Sequence, residues 1–207
     1  MFLVVGLGNP GREYEGNRHN VGFMTVDALQ RSEGWPAFKP KFSGFWTKGE
    51  LGSHDVAVLK PQTYMNLSGE SVQPAAAFLK VPPARVIVVH DEIDLAWRDV
   101  RIKSGGGHAG HNGVRSVIQH LGPDFVRVRI GVGRPAPGFS GDVADWVLGN
   151  FAAEERAELP DVLDTANAAV RAVVTDGIAA AMNRSKTKNR GPRNGGPGNG
   201  GAGAGCS

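Results

Sequence analysis

The alternation of short apolar segments with segments of helical periodicity most restricts how this chain can fold. Residues 85–90 contain four consecutive β-branched residues, which predicts a strand buried on both faces. Residues 2–5 and 56–59 predict two further buried strands. Residues 126–132 alternate apolar and polar side chains, which predicts a strand with one polar face.

Helical periodicity fills the intervals between these strands. Helices are expected over residues 21–29, from Asn66 or Ser68 to residue 79, over residues 112–121 and after Ala153. Pro74 predicts a kink or a late start in the second of them, and Pro160 predicts a cap or an interruption in the last. This order of strands and helices predicts a single α/β domain with a mixed central sheet flanked by helices.

The last part of the chain differs from the rest in composition. Residues 184–207 carry five of the 23 lysines and arginines, no acidic residue and a glycine-rich end. Residues 1–183 therefore hold 18 basic and 20 acidic residues, although the whole chain is formally +3. With little to bury, residues 184–207 are expected to form a disordered, flexible tail. A solubilising extension is favoured over a loose electrostatic contact with RNA.

The composition also excludes several classes of protein. No apolar run approaches the roughly 18 residues of a membrane span, and the first residues predict a core strand rather than a signal peptide. Cys206 is the only cysteine, so a disulfide framework and a cysteine metal cluster are both excluded. A single cysteine fits a reducing compartment, and we expect a cytoplasmic protein.

Residues 6–11 have the G-x-G-x-x-G spacing of a dinucleotide-binding site. That site requires a helix that begins at the glycines, whereas residues 12–18 are polar and have no helical stripe. The apolar helix begins only near Val21. We therefore interpret the glycines as a tight loop that brings Asn9 to the carboxyl end of the first strand.

His19 lies where this loop meets the helix, and an imidazole there can act as a general base because its pKa is near neutrality. For one isolated histidine, a structural role is the more common explanation. Asp91 favours a catalytic role for His19 over a structural one. At the end of the strongest strand, its carboxylate could orient the imidazole and stabilise the protonated form. His90, Asp91, Glu92 and Asp94 could also be metal ligands. No second cluster of suitable spacing accompanies them, and we favour a site without metal.

Two further segments carry side-chain amides. Residues 60–69 place Asn66 near the start of a predicted helix, and the glycine-rich residues 103–113 include His111 and Asn112 just before another. Asparagine amides can donate to a carbonyl or an oxyanion and can accept from a substrate N–H. Each segment alone could be a helix cap or a loop, but the two together favour a binding site.

These motifs together resemble those of the bacterial peptidyl-tRNA hydrolases. The matching runs are Val5-Gly6-Leu7-Gly8-Asn9-Pro10-Gly11-x-x-Tyr14, Asn17-Arg18-His19-Asn20-Val21-Gly22, Lys60-Pro61-x-Thr63-Tyr64-Met65-Asn66-x-Ser68-Gly69, His90-Asp91-Glu92-x-Asp94, Gly105-Gly106-Gly107-His108-x-Gly110-His111-Asn112-Gly113, Gly131-x-Gly133-Arg134-Pro135 and Trp146-Val147-Leu148. They cover about residues 1–183 in order and with consistent spacing. Residues 184–207 lie outside the family pattern.

The resemblance implies a catalytic domain over residues 1–183 with a twisted mixed sheet between helices, usually monomeric, with no cofactor and no metal. It implies an enzyme that cleaves the ester between peptide and tRNA and so recycles tRNA released from ribosomes. His19 would be the base that activates water, and Asp91 would orient it. Asn9 would sense the blocked N-terminal end of the substrate.

The same resemblance implies a set of residues that bind peptidyl-tRNA. Asn66 and Asn112 match amides that bind the peptide and the 3′-terminal region, with His111 beside them. Tyr14 and Tyr64 match aromatic residues that contact tRNA, and Met65 lines the same cleft. Lys103 and Arg129 match basic residues that meet tRNA phosphate, which would bind without reading base sequence.

A non-catalytic RNA-binding protein that uses the basic tail is the second interpretation. The presence of His19, Asp91, Asn66 and Asn112 together counts against it, because binding alone does not need a base and its orienting carboxylate. A dinucleotide-dependent enzyme is a distant third.

Overall fold

A computed structural model describes residues 1–188, with side chains through residue 185, and has one seven-stranded sheet. Its strands are β1 Phe2–Gly6, β2 Lys39–Lys41, β3 Gly44–Leu51, β4 His54–Pro61, β5 Val86–Glu92, β6 Val100–Ser104 and β7 Val126–Gly131. They lie in the order β2-β3-β4-β1-β5-β7-β6. β4, β1, β5 and β7 are parallel, whereas β2, β3 and β6 pair antiparallel to their neighbours.

Helices cover both faces of this sheet. They are α1 Val21–Ser32, α2 Ser68–Phe78, α3 Asn112–Leu121, α4 Val143–Leu148, α5 Ala153–Asp176 and α6 Ile178–Lys188. Leu3 and Val5 of β1 share one hydrophobic cluster with residues of α2 and α3. Val4, between them, shares the other cluster with residues of α1, α5 and α6. Side chains alternate across the central strands in this way, so the sheet is buried on both sides.

The carboxyl ends of the parallel strands meet at one edge of the sheet, where ligands bind in open α/β folds. The start of α1 packs closely against this edge. A Cβ on Gly22 would lie 2.4 Å from the carbonyl oxygen of Val89 and 2.5 Å from that of Leu7, so only glycine allows the approach. His19, three residues earlier, is thereby held between the ends of β1 and β5.

The α/β fold with a mixed central sheet and flanking helices is confirmed. α3 covers the residues expected of it, and β1 and β4 contain their predicted segments. β5 begins one residue later than predicted, and β7 ends one residue earlier. β5 continues to Glu92, so His90 and Asp91 belong to the strand itself. Its last residues are buried like its first, which brings a carboxylate into the protein interior.

Three strands were not predicted, and two prolines do not have the effects that were expected of them. β2, β3 and β6 lie at or near the sheet edges, where mixed composition obscures the alternation that marks a half-buried strand. Pro74 does not delay α2, which begins at Ser68. The interruption expected near Pro160 is wrong, because α5 runs from Ala153 to Asp176. Buried Val162, Ala166, Val170 and Val173 pack that helix on the sheet, and such packing overrides local propensity.

α6 extends to Lys188, so residues 184–188, which we expect in the tail, are helical. The rest of the expected flexible tail, residues 189–207, lies outside the described residues. Within the described range, no helix is both long enough and apolar enough to cross a membrane.

Candidate active site

A cleft of about 530 Å³ lies at the carboxyl edge of the sheet, between the ends of β1 and β5, the start of α3, and α4. It brings together eight of the eleven predicted site residues, namely Asn9, His19, Tyr64, Met65, Asn66, Asp91, His111 and Asn112. Tyr14, Lys103 and Arg129 do not line it. We call Asn9, His19, Asp91 and His111 the floor of the cleft, and the exposed residues Tyr64, Asn66, Asn112 and Val143 its rim.

His19 and Asp91 form a hydrogen bond at the floor, with 2.8 Å between Nδ1 and Oδ1. The side chains are 11% and 2% exposed, respectively. Because a carboxylate only accepts, Nδ1 of His19 carries the proton and donates it. Nε2 therefore keeps the lone pair that a general base needs.

Electrostatics at the floor favour the charged forms of both groups. Burial alone would lower the pKa of His19, but the negative charge and hydrogen bond of Asp91 raise it above its usual value. Burial alone would raise the pKa of Asp91, yet the two histidines around it, His19 and His111, hold it well below the usual range. Asp91 is thus a permanent anion, placed to stabilise an imidazolium on His19.

His111 completes the floor in a way that the sequence did not indicate. Its Nε2 lies 2.9 Å from the same Asp91 oxygen that His19 uses. Its Nδ1 caps α3 by accepting from the backbone N–H groups of Gly113 and Val114, at 3.1 and 3.3 Å. An acceptor at Nδ1 requires the proton at Nε2, so Nε2 of His111 donates to Asp91. The only sequence signal for this role is its place one residue before a predicted helix.

The predicted acidic run does not act as one cluster. His90 is buried, its Nδ1 donates to the backbone carbonyl of Asp91 at 2.6 Å, and burial together with His111 lowers its pKa to about 3. Asp94 is exposed and pairs with Arg134 at 2.5 Å. Glu92 instead lies 3.5 Å from Arg129.

His19, Asp91 and His111 are the one group within residues 1–188 whose ligand atoms could hold a metal ion, since these atoms lie within 4.8 Å of one another. In the hydrogen-bonded arrangement, the nitrogens that face Asp91 both carry protons. Neither has a lone pair to give a cation. A metal here would have to displace two hydrogen bonds, and the donor set is better suited to holding a base.

Asn9 is fixed from two sides. Its side-chain Oδ1 accepts from the backbone N–H of Met65 at 2.8 Å. Its own N–H and C=O are bound by Oδ1 and Nδ2 of Asn20, both at 2.9 Å. The amide of Asn9 is therefore oriented with Nδ2 as the group left to donate into the cleft. Sequence reasoning missed the role of Asn20, although it lies beside His19 in a matched motif.

The rim residues are held much more loosely. Tyr64 is 60% exposed, and Asn66 and Asn112 are exposed beside it. Met65 differs from them, because it is buried under the start of α3, where a Cβ on Gly113 would lie 2.4 Å from its sulfur. Met65 thus forms part of the wall, and the exposed side chains around it are free to meet a ligand.

The basic residues lie to one side of the cleft, on β6 and β7. Arg101 pairs in register with Arg129, and Lys103 pairs with Arg127, so four cations share one face of the sheet. Arg127 was not predicted. It is buried, and its guanidinium donates to the carbonyls of Gly106 and Gly107 in the loop that leads to His111. The sequence signal for this cluster is the polar alternation of the two strands.

Arg18 is a third residue whose role sequence reasoning missed, after Asn20 and Arg127. Its guanidinium lies 3.8 Å from the ring centre of Trp146 on α4 and donates to Glu155 at 2.6 Å and to the carbonyl of Asn150 at 2.8 Å. It is 5% exposed. Arg18 therefore fixes α4, which forms one wall of the cleft, to the turn that carries His19.

Comparisons with known proteins found similar sequences and similar structures. Residues 3–192 match the family model described as peptidyl-tRNA hydrolase. The peptidyl-tRNA hydrolase of Sorangium cellulosum is 56% identical over 189 residues, which are 91% of this chain and 85% of that protein. That of Bdellovibrio bacteriovorus is 48% identical over 90% of this chain and its own full length. A crystal structure of peptidyl-tRNA hydrolase from Acinetobacter baumannii matches with a TM-score of 0.82 at 41% identity, covering 89% of this chain and 94% of that one.

Proposed function

The chain belongs to the peptidyl-tRNA hydrolase family, and we propose that His19 is the general base with which it cleaves peptidyl-tRNA. The protein is a hydrolase of translation whose substrate is peptidyl-tRNA. The bond between His19 Nδ1 and Asp91 is the observation that carries the proposal, because in the neutral imidazole it leaves the lone pair on Nε2, at a cavity of substrate size.

The reaction needs one water and no covalent intermediate. Nε2 of His19 takes a proton from water as the water oxygen attacks the ester carbonyl carbon. Asp91 stabilises the imidazolium that forms, as the carboxylate of a hydrolase triad does. When the tetrahedral intermediate collapses, the ester bond to the ribose oxygen breaks and that oxygen takes the proton from His19. The products are a free peptide carboxyl group and a tRNA hydroxyl.

Asn9 supplies selectivity for a blocked substrate. An acylated amino group presents a carbonyl oxygen, to which Nδ2 of Asn9 can donate. A free aminoacyl group presents an ammonium, which offers only donors and would leave Nδ2 without an acceptor. Asn66 and Asn112 at the rim extend this recognition along the peptide and the 3′-terminal region, with His111 and Met65 shaping the wall.

The tRNA is bound on the β6–β7 side. Lys103 and Arg129 contact its phosphates, and Tyr64 stacks against its 3′ end, whereas Tyr14 lies in a turn outside the cleft. The enzyme acts in the cytoplasm as a monomer. It needs neither metal nor cofactor.

A release assay tests the base. Peptide release from N-acetyl-aminoacyl-tRNA is measured with the full-length protein and with His19→Gln, each with and without a chelator. The variant is expected to lose about 10³-fold in kcat and to keep its KM. Normal turnover by a folded His19→Gln protein overturns the mechanism, and loss of wild-type activity with chelator overturns the metal-free reaction.

A further inference from the structure

A second cavity of about 390 Å³ adjoins the cleft at Asn9. Its walls come from the loop after β1, from α1, from β3 and from the end of β4. Asn9 lines both cavities. A molecule bound at the floor of the cleft therefore has the second cavity directly beyond Asn9.

We infer that this second cavity is a subsite for the part of the substrate peptide that lies further from the ester. The inference rests on the proposed function, since it takes the tRNA to be bound near Lys103 and Arg129. Those residues are on β6 and β7, at one end of the sheet order, and the cavity is beside β4 and β3 at the other. With the ester at the ends of β1 and β5, the tRNA and the peptide must leave in opposite directions.

The charges of the cavity disfavour the tRNA as its occupant. Lys60 is the one cation in the lining, and its Nζ lies 2.6 Å from Asp27, which neutralises it. Glu15 adds an exposed carboxylate. The lining thus carries an excess of negative charge, which repels phosphate and accepts a peptide with neutral or basic side chains.

The remaining lining suits a peptide. Phe23, Met24 and Phe45 provide apolar surface, and Phe45 is 38% exposed at the mouth. The side-chain amide of Gln62 can both donate to and accept from a peptide backbone. An apolar cavity with a few polar groups is the usual form of a specific binding site.

The test compares two substrates, one with a peptide too short to reach the second cavity and one with a peptide long enough to enter it. An extended chain advances about 3.4 Å per residue, so a single N-acetylated residue ends near Asn9 and a peptide of about five residues extends past it. The two substrates carry the same C-terminal residue on the same tRNA. KM is measured for both with the full-length wild-type protein and with Phe45→Ala.

Wild-type KM is expected to be lower for the longer substrate, and Phe45→Ala is expected to raise that KM roughly tenfold while leaving KM for the short substrate in place. Phe78→Ala is the matched control, because Phe78 is 62% exposed and lies outside the cavity. It should change neither value. Gln62→Ala is a second variant, expected to raise KM only for the longer substrate and usable if Phe45→Ala fails to fold.

Three results would overturn the subsite. They are equal KM values for both substrates in the wild type, an equal change for both substrates in Phe45→Ala and Gln62→Ala, and a weaker affinity of Phe45→Ala for deacylated tRNA, which would assign the cavity to RNA. Failure of the proposed function looks different, because the wild type would then release nothing from the short substrate.

Discussion

The floor and the rim of the cleft are built in opposite ways. At the floor, His19 and Asp91 are buried and His111 is partly buried, and hydrogen bonds join the three side chains before any ligand arrives. At the rim, Tyr64 and Asn112 are exposed. Groups that must stabilise charge during a reaction gain from being fixed in advance, whereas groups that bind varied peptides gain from mobility. The difference supports the proposal that the floor residues carry the chemistry and the rim residues the affinity.

The largest effect after loss of the base is expected for Asp91→Asn. It removes the anion that stabilises the imidazolium, so kcat should fall roughly 10²-fold, less than for His19→Gln. The carboxylate also raises the pKa of His19, and without it burial lowers that pKa. The acidic limb of the rate profile should therefore move to lower pH. A limb that stays in place would show that His19 does not control it.

Asn20→Ala should have the next largest effect, although Asn20 does not line the cleft. Both hydrogen bonds to the backbone of Asn9 are lost, and we expect kcat to fall about tenfold. The ratio of kcat/KM for N-acetyl-aminoacyl-tRNA to kcat/KM for free aminoacyl-tRNA should fall as well.

Asn167→Ala is the control for Asn20→Ala, because Asn167 is equally buried but lies on α5, away from the cleft. It is expected to lower the melting temperature and to leave that ratio of kcat/KM values unchanged. The same fall in Asn167→Ala would attribute the result for Asn20 to general destabilisation.

Asn112→Ala tests the rim. If this residue binds substrate equally in the ground and transition states, KM should rise about fivefold while kcat stays constant. The measurement is a full rate curve against N-acetyl-aminoacyl-tRNA. A fall in kcat as large as in Asn20→Ala would place Asn112 with the floor.

Lys103→Gln is expected to have the smallest effect on rate and a distinct dependence on salt. Loss of one phosphate contact should reduce the slope of log affinity against log salt by about one and raise KM two- to threefold. Lys48→Gln removes an exposed lysine from β3, on the far side of the sheet, and should leave the slope alone. Equal slopes for the two variants would show that Lys103 does not contact a tRNA phosphate.

Much of the floor could be predicted because strand order constrains it. A buried run that ends in Asp91 and a first strand followed by a glycine loop predict that Asp91 and His19 meet at one edge of a parallel sheet. The bond between His111 and Asp91 could not be predicted, because it depends on the path of the loop before α3. Asn20 was missed for a related reason, since its partners are backbone atoms of Asn9, which carry no sequence signal.

The prolines show the same limit in the fold. Pro160 would weaken an isolated helix, but α5 is held by contacts with residues distant in sequence, so the predicted interruption does not occur. β3 has eight residues and was not predicted, because its pattern of buried and exposed residues depends on which distant elements pack on each of its faces. Local pattern predicts the central strands well and the edges poorly.

Because His111 caps α3, the tautomer of this histidine depends on the first turn of the helix. If that turn frays, Nδ1 loses the two backbone N–H groups that hold it as an acceptor, and the ring is free to exchange tautomers. In the other tautomer, Nε2 faces Asp91 as a second acceptor, and the carboxylate is left with one donor. Warming should therefore inactivate the enzyme below the temperature at which the sheet melts.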